Sequence, residues 1–144
     1  MQRRTLLSLV AAAALAPAAF AQSTWPSQPI RLIVPYPAGG GTDFFARLVA
    51  PGMGEALGQP VIVENRPGAS GIIGATAVAK QLPADGHTFL LGDMTTYAVN
   101  PSMFEKLSYD PLKDLVPVTM TAKFDFVLVV NPTVLPVGNV QELI

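Results

Sequence analysis

The sequence has 144 residues, of which 50% are hydrophobic and 13% are charged, and it contains no cysteine. This length suits one ordinary domain or a piece of a larger one, and the lack of cysteine excludes structural disulfides and a lipid anchor on cysteine. Nine Lys+Arg against ten Asp+Glu give a formal net charge of -1. The chain therefore lacks the basic field that nucleic-acid binding requires, and we expect no nucleic-acid partner.

Residues 1–21 have the order of regions found in an export signal. Two arginines precede an apolar run over residues 6–15, and the Ala-Phe-Ala sequence that ends at Ala21 has the A-x-A form cut by signal peptidase. The apolar run is too short to span a membrane. We therefore expect residues 1–21 to be a signal peptide, Gln22 to be the new terminus and the mature protein to reside in the periplasm. The arginine pair also fits a twin-arginine signal, so the export route stays open.

Short β-branched runs alternate with segments of helical spacing after the signal. Residues 30–34, 60–64 and 87–92 are predicted strands, bounded by proline or glycine. Residues 42–57 and 72–82 place apolar side chains at helical spacings. The order strand, helix, strand, helix, strand predicts an α/β unit with parallel strands and right-handed crossovers.

Several local features refine this prediction. Pro51 should kink or split the first helix because proline has no N–H to donate. Asn100 is predicted to cap a short helix with Pro101 at its first position. Residues 115–121 and 126–130 are predicted to form two more strands.

The last residues have the form of a helix start. Residues 139–142 read Asn-Val-Gln-Glu, and the sequence ends soon afterwards at Ile144. Because one turn of helix is not stable alone, we expect the sequence to be a truncated piece of a longer protein.

A glycine-bearing turn follows each of the first two predicted strands. Residues 34–43 read Val-Pro-Tyr-Pro-Ala-Gly-Gly-Gly-Thr-Asp, and residues 65–71 read Asn-Arg-Pro-Gly-Ala-Ser-Gly. Each turn leads into a helix N-terminus, whose N–H groups and dipole favour an anion. If the two strands are parallel neighbours, both turns lie at the carboxyl edge of the sheet and can converge on one carboxylate. The alternative is that both are ordinary turns between a strand and a helix.

The polar side chains near these turns have more than one interpretation. Asp43 can simply complement the helix dipole, or it can face a ligand that carries an amine or hydroxyl beside its carboxylate. Thr42 can bind the ligand or cap the helix. Thr95 and Thr96 can hydrogen-bond a carboxylate oxygen at the same edge or belong to an exposed polar loop.

The sequence motifs give little support for a nucleotide, metal or catalytic site. The first turn lacks the lysine of a phosphate loop, and the second has the spacing G-x-x-G-x-x-G rather than G-x-G-x-x-G. His87 is the only histidine, has no partner for a metal and is expected at the opposite edge of the sheet. Arg66 can supply a cation to a ligand, but pairing with Glu64 or another acid is the favoured alternative. We therefore expect no cofactor, no metal and no catalytic residue.

The chain resembles the periplasmic solute receptors of tripartite tricarboxylate transporters, the TctC or Bug family. The resemblance rests on residues 25–26, 33–43, 58–69, 85–86 and 98–101, which read WP, IVPYPAGGGTD, GQPVIVENRPGA, DG and AVNP. It extends over nearly all of the chain after the signal.

This resemblance implies an α/β, type II periplasmic-binding-protein-like fold, with two lobes that each have a mostly parallel sheet flanked by helices. Residues 22–122 would form the N-terminal part of the first lobe, and residues 123–144 would form the crossover and the start of a truncated second lobe. The function implied is a receptor that captures a di- or tricarboxylate or a related organic acid for the membrane components of the transporter. We expect a monomer. An exported α/β enzyme with a carboxylated substrate, or a ligand sensor on the same fold, remains the alternative.

The resemblance also implies that the two glycine-bearing turns hold a carboxylate between them, through main-chain amides and waters. The threonines after the third strand would make additional contacts with the ligand. The predicted ligand-binding residues are Tyr36, Ala38, Gly39, Gly40, Gly41, Thr42, Asp43, Asn65, Gly68, Ala69, Ser70, Gly71, Thr95 and Thr96.

Overall fold

A computed structural model describes residues 25–123, 125 and 127–144. The predicted signal peptide and its cleavage site, at Ala21 and Gln22, lie outside the described residues. Three strands form one sheet: β1 (Ile30–Val34), β2 (Val61–Asn65) and β3 (Thr88–Leu90). Their order is β2-β1-β3, and β1 is parallel to both neighbours. The predicted parallel α/β unit is therefore confirmed.

Helical segments connect and follow the strands. Helix α1 (Gly41–Leu57) joins β1 to β2, and a 3₁₀ turn (Ala69–Gly71) leads from β2 into α2 (Ile72–Thr76). Helix α2 continues as a π-helical turn, Ala77–Gln81. After β3, a π-helical turn (Thr95–Val99) runs into α3 (Asn100–Met103), and α4 (Val140–Leu143) lies near the end of the chain. Among the described residues, no helix is both long enough and apolar enough to cross a membrane.

The core is built around the central strand. Leu32 and Val34 of β1 pack with Ala46 of α1 and with Leu91, which follows β3. Ile33 points to the other side of the strand and is also fully buried. A central parallel strand is covered on both faces, which explains the unbroken apolar run in its sequence. This packing fixes the carboxyl end of β1, from which the first glycine-bearing turn leaves.

Helix α1 is one continuous helix that contains Pro51, so the split predicted at this residue is absent. Proline removes only one backbone hydrogen bond, and helical bonds on both sides keep the seventeen-residue segment together. The helix ends at Leu57, as the helical spacing over residues 42–57 predicted, and the next residue, Gly58, takes a left-handed conformation with φ of 69°.

The prediction of two more strands, at residues 115–121 and 126–130, is wrong for the residues that the structure describes. Residues 115–123 and 127–130 form no strand in the described chain. Val116, Val118 and Met120 are 88%, 74% and 82% exposed. A strand is stabilised by pairing with a neighbour and by burial of one face, and this segment has neither.

Of the two predicted helix caps, the one at Asn100 is wrong and the one at Asn139 is present. Helix α3 begins at Asn100 itself, so the prediction that Asn100 precedes and caps it is wrong. The Asn100 side chain is buried and bonds to another segment. Asn139 does cap α4, because its side-chain oxygen accepts the N–H of Glu142 at 3.0 Å.

Candidate functional site

Three loops leave the sheet side by side at its carboxyl edge. We call them the first loop (residues 35–43), the second loop (residues 65–71) and the third loop (residues 91–96). The N–H of Arg66 donates to the carbonyl of Val34 at 2.8 Å, and the N–H of Leu91 donates to the carbonyl of Ile33 at 2.9 Å. These bonds continue the sheet past the strand ends and align the starts of the three loops.

The loops contact one another around Gly71. A Cβ added at Gly71 would lie 3.4 Å from the hydroxyl oxygen of Tyr36 in the first loop and 3.5 Å from Oγ1 of Thr96 in the third. The Tyr36 hydroxyl also donates to Oδ1 of Asp93 at 2.6 Å. All the predicted ligand-binding residues lie on these three loops, at one edge of the sheet.

The predicted ligand-binding residues differ in their exposure to solvent. The exposed members are Ala38, Gly39, Gly40, Gly41, Gly68, Ala69 and Ser70, the half-buried ones are Tyr36, Thr42, Asn65 and Thr95, and the buried ones are Asp43, Gly71 and Thr96. The exposed members are mostly glycine or alanine, so the main chain itself is accessible at this edge.

The first loop presents main-chain N–H groups that no side chain caps. Gly39 has φ of 85°, which requires glycine, whereas Gly40 is extended, with φ of -74°, and occupies the cap position of α1. No side chain caps this helix, so the capping alternative for Thr42 is wrong. The first-turn N–H groups of Gly41 and Thr42 have no acceptor within the helix. They are available to an anion.

Asp43 is bonded inside the protein. Its carboxylate is 3% exposed and accepts the N–H of Gly39 at 2.8 Å, Nε of Arg47 at 3.0 Å and Nδ2 of Asn65 at 2.9 Å. The hydrogen bond from Arg47, followed by those from Gly39 and Asn65, lowers the pKa of Asp43 to about 2. Asp43 thus links the first loop to the start of the second, and the Gly39 N–H is already used.

Asn65 completes this link. Its Nδ2 also donates to the carbonyl of Tyr36 at 3.1 Å, and its Oδ1 accepts Nη2 of Arg47 at 3.0 Å. Sequence analysis missed Arg47, although its position four residues after Asp43 on a helix is the spacing of an ion pair. The contact with Asn65 depends on strand pairing and has no local signal.

The charge on Asp43 should stabilise the fold in a defined pH range. Its folded-state pKa of about 2 lies below its ordinary value of 3.8. The stabilisation is therefore fully present above pH 3.8 and is lost as the pH falls towards 2. We expect Asp43→Asn to be less stable than the wild type at neutral pH and to lose less stability over this range. Urea unfolding at several pH values measures both effects.

Glu55→Gln, an exposed change on the same helix, serves as the control and should keep the wild-type pH dependence. An Asp43→Asn variant that lost stability between pH 3.8 and 2 as steeply as the wild type would show that this carboxylate contributes nothing in that range.

The second loop has an unusual backbone. Gly68, Ala69, Ser70 and Gly71 have φ values of 126°, 47°, 53° and 84°. Each non-glycine residue in the left-handed region costs on the order of 1–3 kcal/mol and persists only where surrounding contacts fix it. Nδ2 of Asn100 supplies one such contact, since it donates to the carbonyl of Ser70 at 3.0 Å. Strained backbone of this kind is concentrated at ligand clamps and active sites.

The third loop contributes Asp93, which sequence analysis did not place among the site residues. Besides Tyr36, its Oδ1 accepts the N–H of Thr96 at 3.2 Å. Burial and the hydrogen bond to Asp93 raise the pKa of Tyr36. The available signal was the position of Asp93 directly after the predicted third strand, residues 87–92, at the same edge as both glycine-bearing turns.

The cations beside the loops are paired with acids. Arg66 lies 2.6 Å from Glu64, as expected, and Arg47 lies 3.0 Å from Asp43. His87 lies at the other edge of the sheet, where its Nε2 accepts the N–H of Ser27 at 3.2 Å. Within the described part of the chain, no group of three or more His, Cys, Asp or Glu side chains could hold a metal ion. An anion at this edge would meet main-chain dipoles rather than a free cation.

Comparison with known proteins identifies the family. The model of the family described as "Tripartite tricarboxylate transporter family receptor" (TctC) matches residues 45–144. Protein BugT of Bordetella pertussis is 48% identical over 110 residues, which are 76% of this chain and 33% of BugT.

Two solved structures are similar. An R. palustris protein with adipate is 43% identical, with a TM-score of 0.58 over 61% of this chain and 29% of that one. MatC from Rhodopseudomonas palustris with bound malate is 41% identical, with a TM-score of 0.59 over 62% of this chain and 30% of that one.

The chain thus spans 33% of the length of BugT. The α/β fold class predicted from the sequence is confirmed. Because the family model matches more than half of the chain, this protein belongs to the tripartite tricarboxylate transporter family of receptors, the TctC family.

Proposed function

We propose that the protein is a periplasmic receptor that captures a small carboxylate for the membrane components of a tripartite tricarboxylate transporter. The observation that carries this proposal is the meeting of two glycine-bearing loops at one sheet edge, one with uncapped helix N–H groups and one with strained backbone. Adipate and malate, which accompany the two similar structures, are both dicarboxylates. We therefore propose a di- or tricarboxylate, or a related organic acid, as the ligand.

The first-turn N–H groups of Gly41 and Thr42 would bind one ligand carboxylate, with the second loop on its other side. This arrangement suits reversible capture, because helix dipoles stabilise an anion without the full charge of an arginine. The remaining predicted residues line or shape the same site. Asp43 and Asn65 would act as positioning residues that hold the first two loops in register.

The rest of the proposal concerns the whole protein. Residues 1–21 would direct export to the periplasm, residues 22–122 would belong to the first lobe, and residues 123–144 would begin the second. Exposed apolar side chains near this boundary support the division, since Leu112 and Val127 are 92% and 81% exposed and would need cover from other parts of a two-lobed protein. We further propose that the protein acts as a monomer and binds its ligand without catalysing a reaction.

A thermal-shift screen of the full-length protein with mono-, di- and tricarboxylates tests this function. A ligand present at about a hundred times its Kd should add about 2.7 kcal/mol to the free energy of unfolding. The control for each stabilising acid is the amide in which every carboxylate is replaced, and it should give no shift because it lacks the negative charge. If no carboxylate stabilises the protein, the proposed function is wrong.

A further inference from the structure

The corner formed by Tyr36, Asp93 and Thr96 differs chemically from the rest of the site. Tyr36 has a single hydroxyl hydrogen, which it donates to Oδ1 of Asp93 at 2.6 Å. The hydroxyl of Thr96 also points at this oxygen, at 3.5 Å. Tyr36 has turned its hydrogen towards Asp93, so what its hydroxyl leaves open to a ligand is oxygen lone pairs.

Asp93 itself has spare capacity to accept hydrogen bonds. The hydrogen bonds to its side chain in the described part of the chain all end on Oδ1, and the residue is exposed. No arginine or lysine pairs with it among the described residues, whereas Asp43, Glu64, Asp110 and Asp114 each have such a partner. A carboxylate accepts at both oxygens, so Oδ2 is free to accept from a ligand.

The two sides of the site therefore have opposite requirements. The first turn of α1 offers N–H donors, which select a carboxylate. The corner at Asp93 offers acceptors and a negative charge, which repel a second carboxylate and attract a hydroxyl or an ammonium group. The corner at Asp93 adjoins both of the first two loops, because Tyr36 belongs to the first loop and its hydroxyl lies 3.4 Å from the Cβ position of Gly71 in the second.

We propose that Asp93 determines specificity, and that the preferred ligand carries a hydroxyl or ammonium group close to the carboxylate held by the first two loops. This inference rests on the proposed function and narrows it from carboxylates in general to hydroxy acids and amino acids. The sequence had suggested that Asp43 could face an amine or hydroxyl of the ligand. The carboxylate of Asp43 is instead buried against Arg47 and Asn65, and we assign this contact with the ligand to Asp93.

Isothermal titration of the full-length protein with succinate, malate and aspartate tests this inference. The three acids differ at one carbon, which carries hydrogen, hydroxyl or ammonium. A hydrogen bond to a charged group changes affinity by about tenfold or more, so malate or aspartate should bind at least about tenfold more tightly than succinate. Lactate and alanine, compared with propionate, repeat the test for a ligand with one carboxylate.

Asp93→Asn tests the residue directly. Its amide can be accommodated at the same place but carries no charge, so the preference for ammonium over hydrogen should fall by about tenfold, and binding of succinate should improve. The control Glu55→Gln makes the same change of charge on an exposed part of α1 and should leave all affinities unchanged.

The outcomes separate the inference from the function on which it rests. If the wild type binds neither these acids nor any other carboxylate of the thermal-shift screen, the proposed function fails. If it binds other carboxylates but none of these hydroxy and amino acids, only the role of Asp93 is wrong. If the wild type binds the unsubstituted acid as tightly as its hydroxy and amino counterparts, or if Asp93→Asn keeps the wild-type ratio, the carboxylate-binding function stands and the role of Asp93 is wrong.

Discussion

Gly74→Ala is expected to destabilise the protein by about 1–3 kcal/mol, the range found when a packed interior is overfilled. A Cβ at Gly74 in α2 would lie 2.8 Å from Cβ of Pro35 and 2.9 Å from the carbonyl oxygen of Arg66. Neither neighbour is the end of a flexible side chain, so the backbone itself would have to move. Pro35 begins the first loop and Arg66 lies in the second, so carboxylate binding should weaken together with stability.

The control for this change is Gly52→Ala in α1. A Cβ at Gly52 meets nothing within 4 Å, and alanine is favoured over glycine in a helix by about 1 kcal/mol. The two substitutions are the same in chemistry and both lie in helices, yet they should change the free energy of unfolding in opposite directions. Urea denaturation of the full-length protein measures both values. Equal stabilisation by the two alanines would contradict the close packing of α2 against the loops.

The strands and glycine-bearing turns of the site could be predicted from the sequence, because short local sequence patterns determine them. A short β-branched run followed by proline and glycine predicted the ends of β1 and β2. The parallel pairing of these strands then brought both turns to one edge, as the rules for α/β folds require. Gly39, Gly68 and Gly71 have the left-handed conformations that explain glycine at those positions.

The connections between the loops could not be predicted, because each joins residues that are distant in the chain. The Asp43–Asn65 bond spans 22 residues and the Asn100–Ser70 bond spans 30. Local rules placed Asn100 at a helix cap and offered the helix dipole as one of two roles for Asp43, because Asp and Asn are common at helix starts. The fold instead uses Asp43 and Asn100 to hold the neighbouring loop.

At residues 115–121 the local sequence pattern predicted a strand that the structure does not contain. Its apolar residues have the composition of a strand, and Pro117 lies among them. Composition does not supply a pairing partner, and β propensity expresses packing against neighbours more than an intrinsic preference. Val116 and Met120 are therefore exposed side chains in a segment without regular structure.

Gly40→Asp should abolish carboxylate binding while leaving the fold intact or slightly more stable. Gly40 is extended, with φ of -74°, so a side chain causes no backbone strain, and its added Cβ would approach only the carbonyl of Pro37, at 3.4 Å. Aspartate at this cap position can accept the free N–H groups of the first turn. It would therefore occupy the donors intended for the ligand and repel its charge.

The size of the loss follows from Coulomb's law. Two unit charges about 4 Å apart at an effective dielectric constant of about 20 repel by about 4 kcal/mol, so a loss of affinity of at least about a hundredfold is expected even after allowance for solvent screening. Isothermal titration with the best carboxylate from the screen measures it, and circular dichroism with urea unfolding verifies the fold.

Gly40→Ala separates charge from bulk in this experiment. Alanine fills the same Cβ position and tolerates the extended backbone, but it neither accepts a hydrogen bond nor carries a charge, so it should bind with nearly the wild-type affinity. Gly40→Asn should lie between the two, since its amide oxygen competes for the N–H groups without repelling the ligand. Equal affinity for the wild type and Gly40→Asp would mean that the carboxylate binds away from the first turn of α1. A loss in Gly40→Ala as large as that in Gly40→Asp would instead mean that the ligand needs the space above Gly40 rather than the donors beside it.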